Sequence, residues 1–254
     1  MLATAVDIAW RAGALLLEYL GLQRNMSLKG PCDLVTDADH ASETLIVDSL
    51  RQHFPDHTII AEEGSGVERD SPYAWLIDPL DGTSNYAHGF PFFSIALALL
   101  EGRTPILAVV YDPVRDEMFT AERGRGAWRN QQPIRVSHTP SLADALVSTG
   151  FPYDVATNSS NSQAFARVQA RVQGVRHAGS AVLEQASVAA GRFEAYWAVG
   201  LQPWDMAASA LLVAEAGGRV SDWHGDPWDP WSADIIVSNG HVHEEMIQAL
   251  CLDD

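Results

Sequence analysis

Long apolar runs are scarce in this sequence of 254 residues. The best candidate, residues 92–100, is bounded by Pro91 and Glu101. It is far shorter than the about 20 residues that a membrane-spanning helix requires. The start of the chain also differs from a secretory signal, because Asp7 and Arg11 interrupt its apolar positions. We therefore expect a cytoplasmic protein that does not use a membrane as partner.

Cysteine and positive charge are also scarce. The two cysteines, Cys32 and Cys251, lie far apart and cannot form a disulfide framework, so we expect reduced thiols. The 16 Lys and Arg residues are outnumbered by 33 Asp and Glu residues, which gives a formal net charge of −17. Nonspecific nucleic-acid binding depends on clustered cations, so we expect no nucleic-acid partner. Part of the acidic excess can instead serve as carboxylates that hold divalent cations.

Helical and strand patterns alternate along the chain, and its 47% hydrophobic content can form one large domain or two closely packed lobes. Apolar spacing predicts helices over residues 6–20, 37–54, 163–173, 181–190, 204–216 and 243–250. Short apolar runs predict strands over residues 58–61, 74–77, 92–100, 106–111, 117–120, 145–149, around 175, 193–197, 219–222 and 234–238. The pattern changes near residue 140. We therefore predict an N-terminal α+β lobe (residues 1–140) and a C-terminal α/β lobe (residues 141–254) in one compact unit.

A short segment after the apolar run 74–77 combines oxygen ligands with turn residues. It reads Asp-Pro-Leu-Asp-Gly-Thr over residues 78–83. Because proline fixes one backbone angle, the turn can direct Asp78, Asp81 and the carbonyl of Leu80 at one point. Hard oxygen ligands at this density suit Mg²⁺. An ordinary turn after a strand is the alternative, since Asp, Pro and Gly are common in turns.

The end of the same segment is suited to an anion. Gly82 lets the backbone approach a ligand closely. If the chain becomes helical just after it, the amide groups of Gly82 and Thr83 lack intrahelical partners and can face phosphate. The metal site and the phosphate site would then be one place.

Further carboxylates occur at two other predicted element ends. Glu62 and Glu63 follow the strand 58–61, and a loop plus a neighbouring strand can bring Glu62 to Asp78. Asp205 lies in the first turn of the helix 204–216 in the second lobe. Each feature has a simpler explanation. Glu62 and Glu63 can belong to a solvated acidic loop, and Asp205 can be favoured in the first turn by the helix dipole. Together they indicate a shared metal site supplied by both lobes.

Three segments match the motifs of one known family in order and spacing. They are Glu-Glu-Gly at 62–64, Trp-x-x-Asp-Pro-Leu-Asp-Gly-Thr-x-Asn-Tyr at 75–86, and Trp-Asp-x-Ala-Ala at 204–208. On these residues the chain resembles the inositol monophosphatase family of Mg²⁺-dependent, lithium-sensitive phosphatases. The resemblance implies an α+β/α/β fold, a layered αβαβα sandwich of the sugar-phosphatase type, usually assembled as a homodimer.

The resemblance also implies a phosphoric monoester hydrolase of the inositol-phosphate phosphatase type. Its cofactor would be Mg²⁺, with Mn²⁺ as a possible substitute and Li⁺ as an inhibitor. One ion would be held by Glu62, Asp78 and the Leu80 carbonyl, and a second by Asp78, Asp81 and Asp205. A third, weaker ion would sit near Glu62. The resemblance also implies that Glu62 is a catalytic residue, together with Thr83 and Asp39.

Other residues take supporting roles by the same resemblance. The attacking water would lie on the first ion, with Thr83 as its hydrogen-bond partner and Asp39 behind Thr83. A threonine hydroxyl does not deprotonate readily, so the metal would supply most of the acidity. The amides of Gly82 and Thr83 would bind phosphate oxygens. Two outer supports are implied as well, Lys29 and Glu63.

The identity of the substrate is less constrained. Seven positions before Asp205, where the inositol phosphatases carry an acidic residue for ring hydroxyls, this chain has Ala198. A site without its polar partners loses selectivity, so histidinol phosphate, fructose 1,6-bisphosphate, glycerol phosphates and nucleotide phosphates stay open as substrates. Glu184 also stands near a usual aspartate. The predicted substrate-side residues are Gly82, Thr83, Ser180, Ala181, Ala198 and Gln202.

A function of another class stays open too. Some members of this family bind transcription machinery, so a non-catalytic regulatory binding protein is the alternative. All four expected metal carboxylates are present in this chain, and a pure scaffold has no chemical need for them. The sequence therefore favours an enzyme whose partner is a small phosphorylated substrate.

Overall fold

A computed structural model describes residues 1–20, 26–30, 33–151 and 160–251 of the chain. Within these residues the helices are α1 (Leu2–Leu20), α2 (Asp37–His53), α3 (Thr83–Ala87), α4 (Ser160–Gln169), α5 (Ala181–Ala189), α6 (Pro203–Glu215) and α7 (His243–Leu250). The strands of the first half are β1 (Met26–Gly30), β2 (Asp33–Thr36), β3 (Thr58–Ala61), β4 (Tyr73–Asp81), β5 (Ser94–Glu101), β6 (Thr104–Asp112), β7 (Glu117–Glu122), β8 (Ala127–Arg129) and β9 (Gln132–Ile134). The remaining strands are β10 (Leu146–Thr149), β11 (Gly174–Arg176), β12 (Ala195–Val199), β13 (Arg219–Ser221) and β14 (Asp234–Ser238).

Two large mixed sheets form the framework. The seven-stranded sheet runs in sequence order from β3 to β9, with β3 and β4 parallel and the later pairs antiparallel. The five-stranded sheet has the order β11-β10-β12-β14-β13, and its pairs change from parallel to antiparallel between β12 and β14. A two-stranded antiparallel ribbon, β1 and β2, precedes α2.

Helices cover both sheets in layers. Helices α1 and α2 pack on the outer face of the seven-stranded sheet, α5 and α6 lie between the sheets, and α4 and α7 cover the five-stranded sheet. Strand β5 shows why its sequence is apolar throughout. Its alternate residues enter opposite cores, Ile95, Leu97 and Leu99 on the α1 side and Ala96, Ala98 and Leu100 on the α6 side. The predicted layered αβαβα sandwich is confirmed.

Helix α2 illustrates how local signals position the site. Thr36 has extended backbone angles, its side chain accepts a hydrogen bond from the amide of Ala38, and the carboxylate of Asp39 accepts one from the amide of Thr36. This reciprocal capping satisfies two amides that the helix leaves without partners. Thr36 therefore caps α2, and Asp39 is thereby fixed in the first turn.

The break between the two sheets falls between β9 and β10, close to the predicted lobe boundary at residue 140. The division into two lobes itself stays a prediction, because α5 and α6 contact both sheets. Within the described ranges, no helix has the length and apolarity that crossing a membrane requires. The thiol of Cys251 donates a hydrogen bond to the carbonyl of Trp223, whereas Cys32 lies outside the described residues.

Candidate active site

The parallel pairing of β3 with β4 brings the first two carboxylates to one edge of the sheet. Ala61 is in register with Ile77, and the amide of Glu62 donates to the carbonyl of Ile77 at 3.3 Å. Glu62 therefore follows β3 at the level where Asp78 continues β4. The prediction that a neighbouring strand joins these two strand ends is confirmed.

Strand β4 extends further than its apolar run predicts. It continues from Ile77 through Asp81, with an irregular register against β5 between Asp78 and Asp81. Asp78 Oδ1 accepts a hydrogen bond from the amide of Leu80 at 3.0 Å, which holds the proline turn closed. Gly82 follows with a φ of 90°, and α3 begins at Thr83. The chain thus becomes helical where the anion hypothesis requires it.

One cavity of about 590 Å³ collects most of the predicted site residues. Its walls come from the end of β4, the start of α3, the turn before α5 and the start of α6. The predicted residues that line it are Glu62, Asp78, Leu80, Asp81, Gly82, Thr83, Ser180, Ala181, Gln202 and Asp205. Segments more than one hundred residues apart in sequence therefore share this cavity.

Asp78 is the electrostatic centre of the cavity. It is only 2% exposed, and burial raises its pKa well above the ordinary value, with further contributions from the charges of Glu62, Asp81 and Asp205. No Lys or Arg side chain is among the described residues that line the cavity. A buried carboxylate among like charges needs either a proton or a cation. The carboxylates that act on it, those of Glu62, Asp81 and Asp205, supply the oxygen ligands that suit Mg²⁺.

The carboxylates face one another without closing into a finished metal site. Among the residues that the structure describes, no three His, Cys, Asp or Glu side chains converge closely enough to hold an ion as they stand. The charges of Glu62, Asp81 and Asp205 nevertheless all raise the pKa of Asp78. Like charges repel at short range, so a bound cation would be expected to draw these side chains inward.

Asp81 joins the first sheet to the start of α5. Its carboxylate accepts hydrogen bonds from the hydroxyls of Ser94 and Ser180. The amides of Ala181 and Val182 also donate to it, each at 3.1 Å. Burial raises the pKa of Asp81 to about 6, although these hydrogen bonds oppose the shift. Only one of the four donors reaches Oδ1, so this oxygen retains a lone pair for a cation.

Asp205 comes from the second half of the chain as predicted. Pro203 begins α6, and Asp205 is in its first turn. Asp205 Oδ2 accepts a hydrogen bond from the amide of Gln202 at 2.8 Å, and its backbone carbonyl accepts one from Gln185 Nε2 at 2.9 Å. The second contact fixes the start of α6 against α5.

Thr83 and Asp39 form a buried pair next to the cavity. Thr83 Oγ1 lies 2.9 Å from Asp39 Oδ1 and 3.0 Å from the carbonyl of Leu80. A hydroxyl has one proton, so it donates to one of these acceptors at a time. Asp39 Oδ2 accepts from both the amide and the hydroxyl of Thr36, which holds the carboxylate behind Thr83.

Some predicted residues do not reach the cavity. Ala198 is fully buried in β12, and its carbonyl accepts a hydrogen bond from Trp223 Nε1. The structure therefore does not bring Ala198 to the substrate side, because the turn at Gly200 presents the following residues instead. Glu63 follows Glu62 in sequence but is not among the residues that line the cavity, and Lys29 is in β1. Their supporting roles stay predictions.

The structure adds residues that sequence reasoning missed. Phe151 and His177 line the cavity, and their rings pack edge to face with centroids 5.2 Å apart. His177 Nδ1 contacts the carbonyl of Thr149 at 2.9 Å. Two buried polar residues of α2 contact the site from behind, Ser42 at Pro79 of β4 and Glu43 at the turn that follows β3. Helical spacing from Asp39 could have indicated these last two, since positions i+3 and i+4 share its face.

We expect Gly82→Ala to destabilise the protein by about 3 kcal/mol, and Gly217→Ala by about 1 kcal/mol. Both glycines have nearly the same positive φ, 90° and 88°. A Cβ at Gly82 would lie 3.1 Å from the carbonyl oxygens of Gly179 and Phe92, whereas none of the described atoms lies within 4 Å of one at Gly217. Urea denaturation of both variants therefore separates backbone strain from the close approach at the site. Equal losses would contradict this explanation.

A sequence model of the Inositol monophosphatase family matches residues 1–252. Among curated relatives, the chain is 42% identical over 252 residues to an Inositol-1-monophosphatase of a Synechocystis species, which covers 98% of this chain and 88% of the relative. It is also 45% identical over 261 residues to Nus factor SuhB of Pseudomonas aeruginosa, with coverage of 98% and 95%.

Solved structures agree with these matches. The extragenic suppressor protein suhB from Bartonella henselae superposes with a TM-score of 0.95 at 38% identity, over 99% of this chain and 98% of that one. An IMPase/NADP phosphatase complexed with Mg²⁺ and phosphate superposes with a TM-score of 0.83 at 26% identity, over 94% and 90%. The similarity extends over the whole fold, including both sheets that surround the cavity.

Proposed function

The chain belongs to the inositol monophosphatase family, and on this basis we propose that it hydrolyses small phosphate monoesters with Mg²⁺ as cofactor. The observation that carries the proposal is the shared cavity, in which Asp78 is buried among Glu62, Asp81 and Asp205 without a cationic side chain among the described lining residues. A structural relative in complex with Mg²⁺ and phosphate supports the same chemistry.

We propose the carboxylates as the metal ligands. Glu62, Asp78 and the carbonyl of Leu80 would hold one Mg²⁺, and Asp78, Asp81 and Asp205 would hold another. When bound, Mg²⁺ supplies charge neutralisation for the phosphoryl oxygens and lowers the pKa of water. Removal of the ions should therefore leave the protein folded but without the activated water that serves as the nucleophile.

The side chains of the protein would position the reacting groups. When Thr83 donates its proton to Asp39, the lone pairs of its hydroxyl can accept a hydrogen bond from the attacking water. Thr83 would thus orient the water, and Asp39 would fix the rotamer of Thr83. The amides of Gly82 and Thr83, at the start of α3, would donate to phosphate oxygens.

For the substrate we propose an inositol-1-phosphate-like ester, as the name of the Synechocystis relative suggests. Ala198 is buried and cannot supply ring-hydroxyl recognition, so histidinol phosphate, fructose 1,6-bisphosphate and nucleotide phosphates stay alternative substrates. Ser180, Ala181 and Gln202 would contact the substrate. Homodimer assembly, inhibition by Li⁺, replacement of Mg²⁺ by Mn²⁺ and a cytoplasmic location likewise stay predictions.

A phosphate-release assay tests the proposed function directly. We expect release from at least one ester in a panel of inositol 1-phosphate, histidinol phosphate, fructose 1,6-bisphosphate, glycerol 2-phosphate and a nucleoside monophosphate. Activity should require Mg²⁺ and should fall to background in excess chelator, returning when Mg²⁺ is restored. Release that persists in chelator, or inactivity on every ester with Mg²⁺, would contradict the proposal.

A regulatory function is the second candidate, because a relative with 45% identity is named a Nus factor. The same assay separates the two functions. A protein that binds a transcription partner but releases no phosphate from any ester would be a scaffold. The net charge of −17 makes a basic protein surface a better match for such a partner than a nucleic acid.

A further inference from the structure

One face of α2 contacts two segments of the candidate active site, residues 78–83 and the turn that follows β3. Asp39 contacts Thr83 at 2.9 Å, and the hydroxyl of Ser42 donates to the carbonyl of Pro79 at 2.8 Å. Glu43, one residue further along, accepts hydrogen bonds from the turn that follows β3. These three residues are buried and lie at positions i, i+3 and i+4 of the helix.

Glu43 holds two amides of the turn at once. Its Oε2 accepts from the amide of Glu63 at 2.7 Å, and its Oε1 accepts from the amide of Ser65 at 2.9 Å. The side chain is almost completely buried, with 2% exposure. Hydrogen bonds from amides to an ionised carboxylate are short and strong, particularly where water is excluded. A bidentate carboxylate is the side chain that can serve two such donors.

This contact determines the position of Glu62. On one side of Glu62 the chain is fixed in the sheet, where Ala61 pairs with Ile77. On the other side, the amide of the very next residue, Glu63, is held by Glu43. The backbone of Glu62 is therefore held between a strand and a helix. Its carboxylate reaches the cavity from this position.

We propose that Glu43 is a positioning residue that presents Glu62 to a divalent cation. The inference rests on the proposed function, since it concerns the metal site of that function. Groups that orient metal ligands without touching the metal commonly change metal affinity about 10-fold to 100-fold when they are replaced. Glu43 acts on the ligand through the backbone of the next residue, so its loss should weaken Mg²⁺ binding while the ligands themselves remain.

The chain contains a matched control for this contact. Glu215 also bridges two amides that are two residues apart, with Oε1 accepting from Gly124 at 2.7 Å and Oε2 from Gly126 at 2.8 Å. Glu215 is not among the residues that line the cavity. Glu43→Gln and Glu215→Gln therefore remove the same kind of contact, once beside a proposed metal ligand and once away from it.

The test measures Mg²⁺ binding by titration calorimetry and the rise in Tm on addition of Mg²⁺, together with the Mg²⁺ concentration that gives half-maximal activity. We expect Glu43→Gln to bind Mg²⁺ about tenfold more weakly and to need about tenfold more Mg²⁺ for activity. Saturating Mg²⁺ should restore much of kcat. Glu215→Gln should lose stability but bind Mg²⁺ as the unaltered protein does. If Glu43→Gln does not fold, Glu43→Asp, which keeps the charge with a shorter reach, is judged by the same criteria.

Two outcomes overturn the inference in different ways. If the unaltered protein binds Mg²⁺ and releases phosphate but both variants respond to Mg²⁺ alike, Glu43 is structural only and the proposed function stands. If the unaltered protein neither binds Mg²⁺ nor releases phosphate, the proposed function fails and the inference fails with it.

Discussion

Replacing Asp78 with asparagine is expected to lower Mg²⁺-dependent phosphate release by about 10³-fold or more and, at the same time, to stabilise the metal-free protein. Asp78 is the proposed ligand shared by two ions, so its loss would affect both. Asparagine keeps the shape of the side chain and can still accept the hydrogen bond from the amide of Leu80. The change is therefore one of charge rather than of packing.

The expected gain in stability follows from the direction of the pKa shift. Burial, and then the charges of Glu62, Asp81 and Asp205, raise the pKa of Asp78 above its ordinary value. The folded protein thus retains a proton on Asp78 at a pH where the unfolded chain has released it. Its contribution to stability is present at low pH and is lost as the pH rises through the range between the two pKa values. Asparagine does not ionise, so it avoids this loss.

Asp112→Asn provides the opposite case. Asp112 is also 2% exposed, but its Oδ2 pairs with Arg115 at 2.8 Å and its Oδ1 accepts from the amides of Val114 and Arg115. Removal of this charge should destabilise the protein and leave phosphate release unchanged. Thermal denaturation in chelator and the phosphate assay together test the pair. An Asp78→Asn protein that is less stable than the unaltered chain, or that keeps its activity, would contradict the role given to Asp78.

The periodicity of apolar residues predicted the helices and strands whose burial follows from the local sequence. The predicted bounds of β3, β14 and α7 match the structure at both ends, because apolar runs there are enclosed by turn or cap residues. Strand β4 was predicted too short, at residues 74–77. Its continuation through Asp81 contains two carboxylates and a proline, which local patterns assign to a turn. Only pairing with β5 and the buried environment of the site keep this segment extended.

Sequence reasoning predicted most of the site residues that line the cavity, but not the contacts that hold them. The link from Ser180 to Asp81 spans 99 residues, and no local pattern contains it. Glu43 appears on a mixed helix face, where a carboxylate is normally solvated. The position of Ala198 was inferred from its distance to Asp205 along the chain. The strand register of β12 instead places it in the interior, so a linear spacing could not predict its contacts.

Glu184 is a second buried carboxylate beside the cavity, and it differs from Asp78 in its surroundings. It lies on α5 with no exposed surface, and its Oε1 accepts a hydrogen bond from the amide of Ala178 at 3.1 Å. Its Oε2 has no hydrogen-bond partner among the residues that the structure describes. Burial is the main cause that raises the pKa of Glu184 to about 8. The folded protein therefore keeps this group largely protonated at neutral pH.

Glu184→Gln is accordingly expected to stabilise the protein by about 3 kcal/mol at pH 8 and by little at pH 5. The pKa of Glu184 rises from an ordinary value of 4.5 to about 8 on folding. Its stabilising contribution is present below pH 4.5 and is lost between pH 4.5 and 8. A tenfold change in the protonation equilibrium corresponds to about 1.4 kcal/mol. The expected gain is smaller than the full difference in pKa would give, because the folded protein relaxes when the group ionises.

Another buried group decides the pH range of the measurement. The pKa of His243 is lowered to about 4, mainly by burial, so His243 reduces stability as the pH falls below its ordinary value of 6.5. Urea denaturation in chelator between pH 6.5 and 8.5 avoids this opposing effect. In that range the unaltered protein should lose stability with rising pH, and Glu184→Gln should have a smaller pH slope, to which Asp78 still contributes. Glu215→Gln makes the same change from Glu to Gln at a half-buried position, so it controls for the substitution itself. Equal pH slopes for all three proteins would show that Glu184 ionises alike in the folded and unfolded chain.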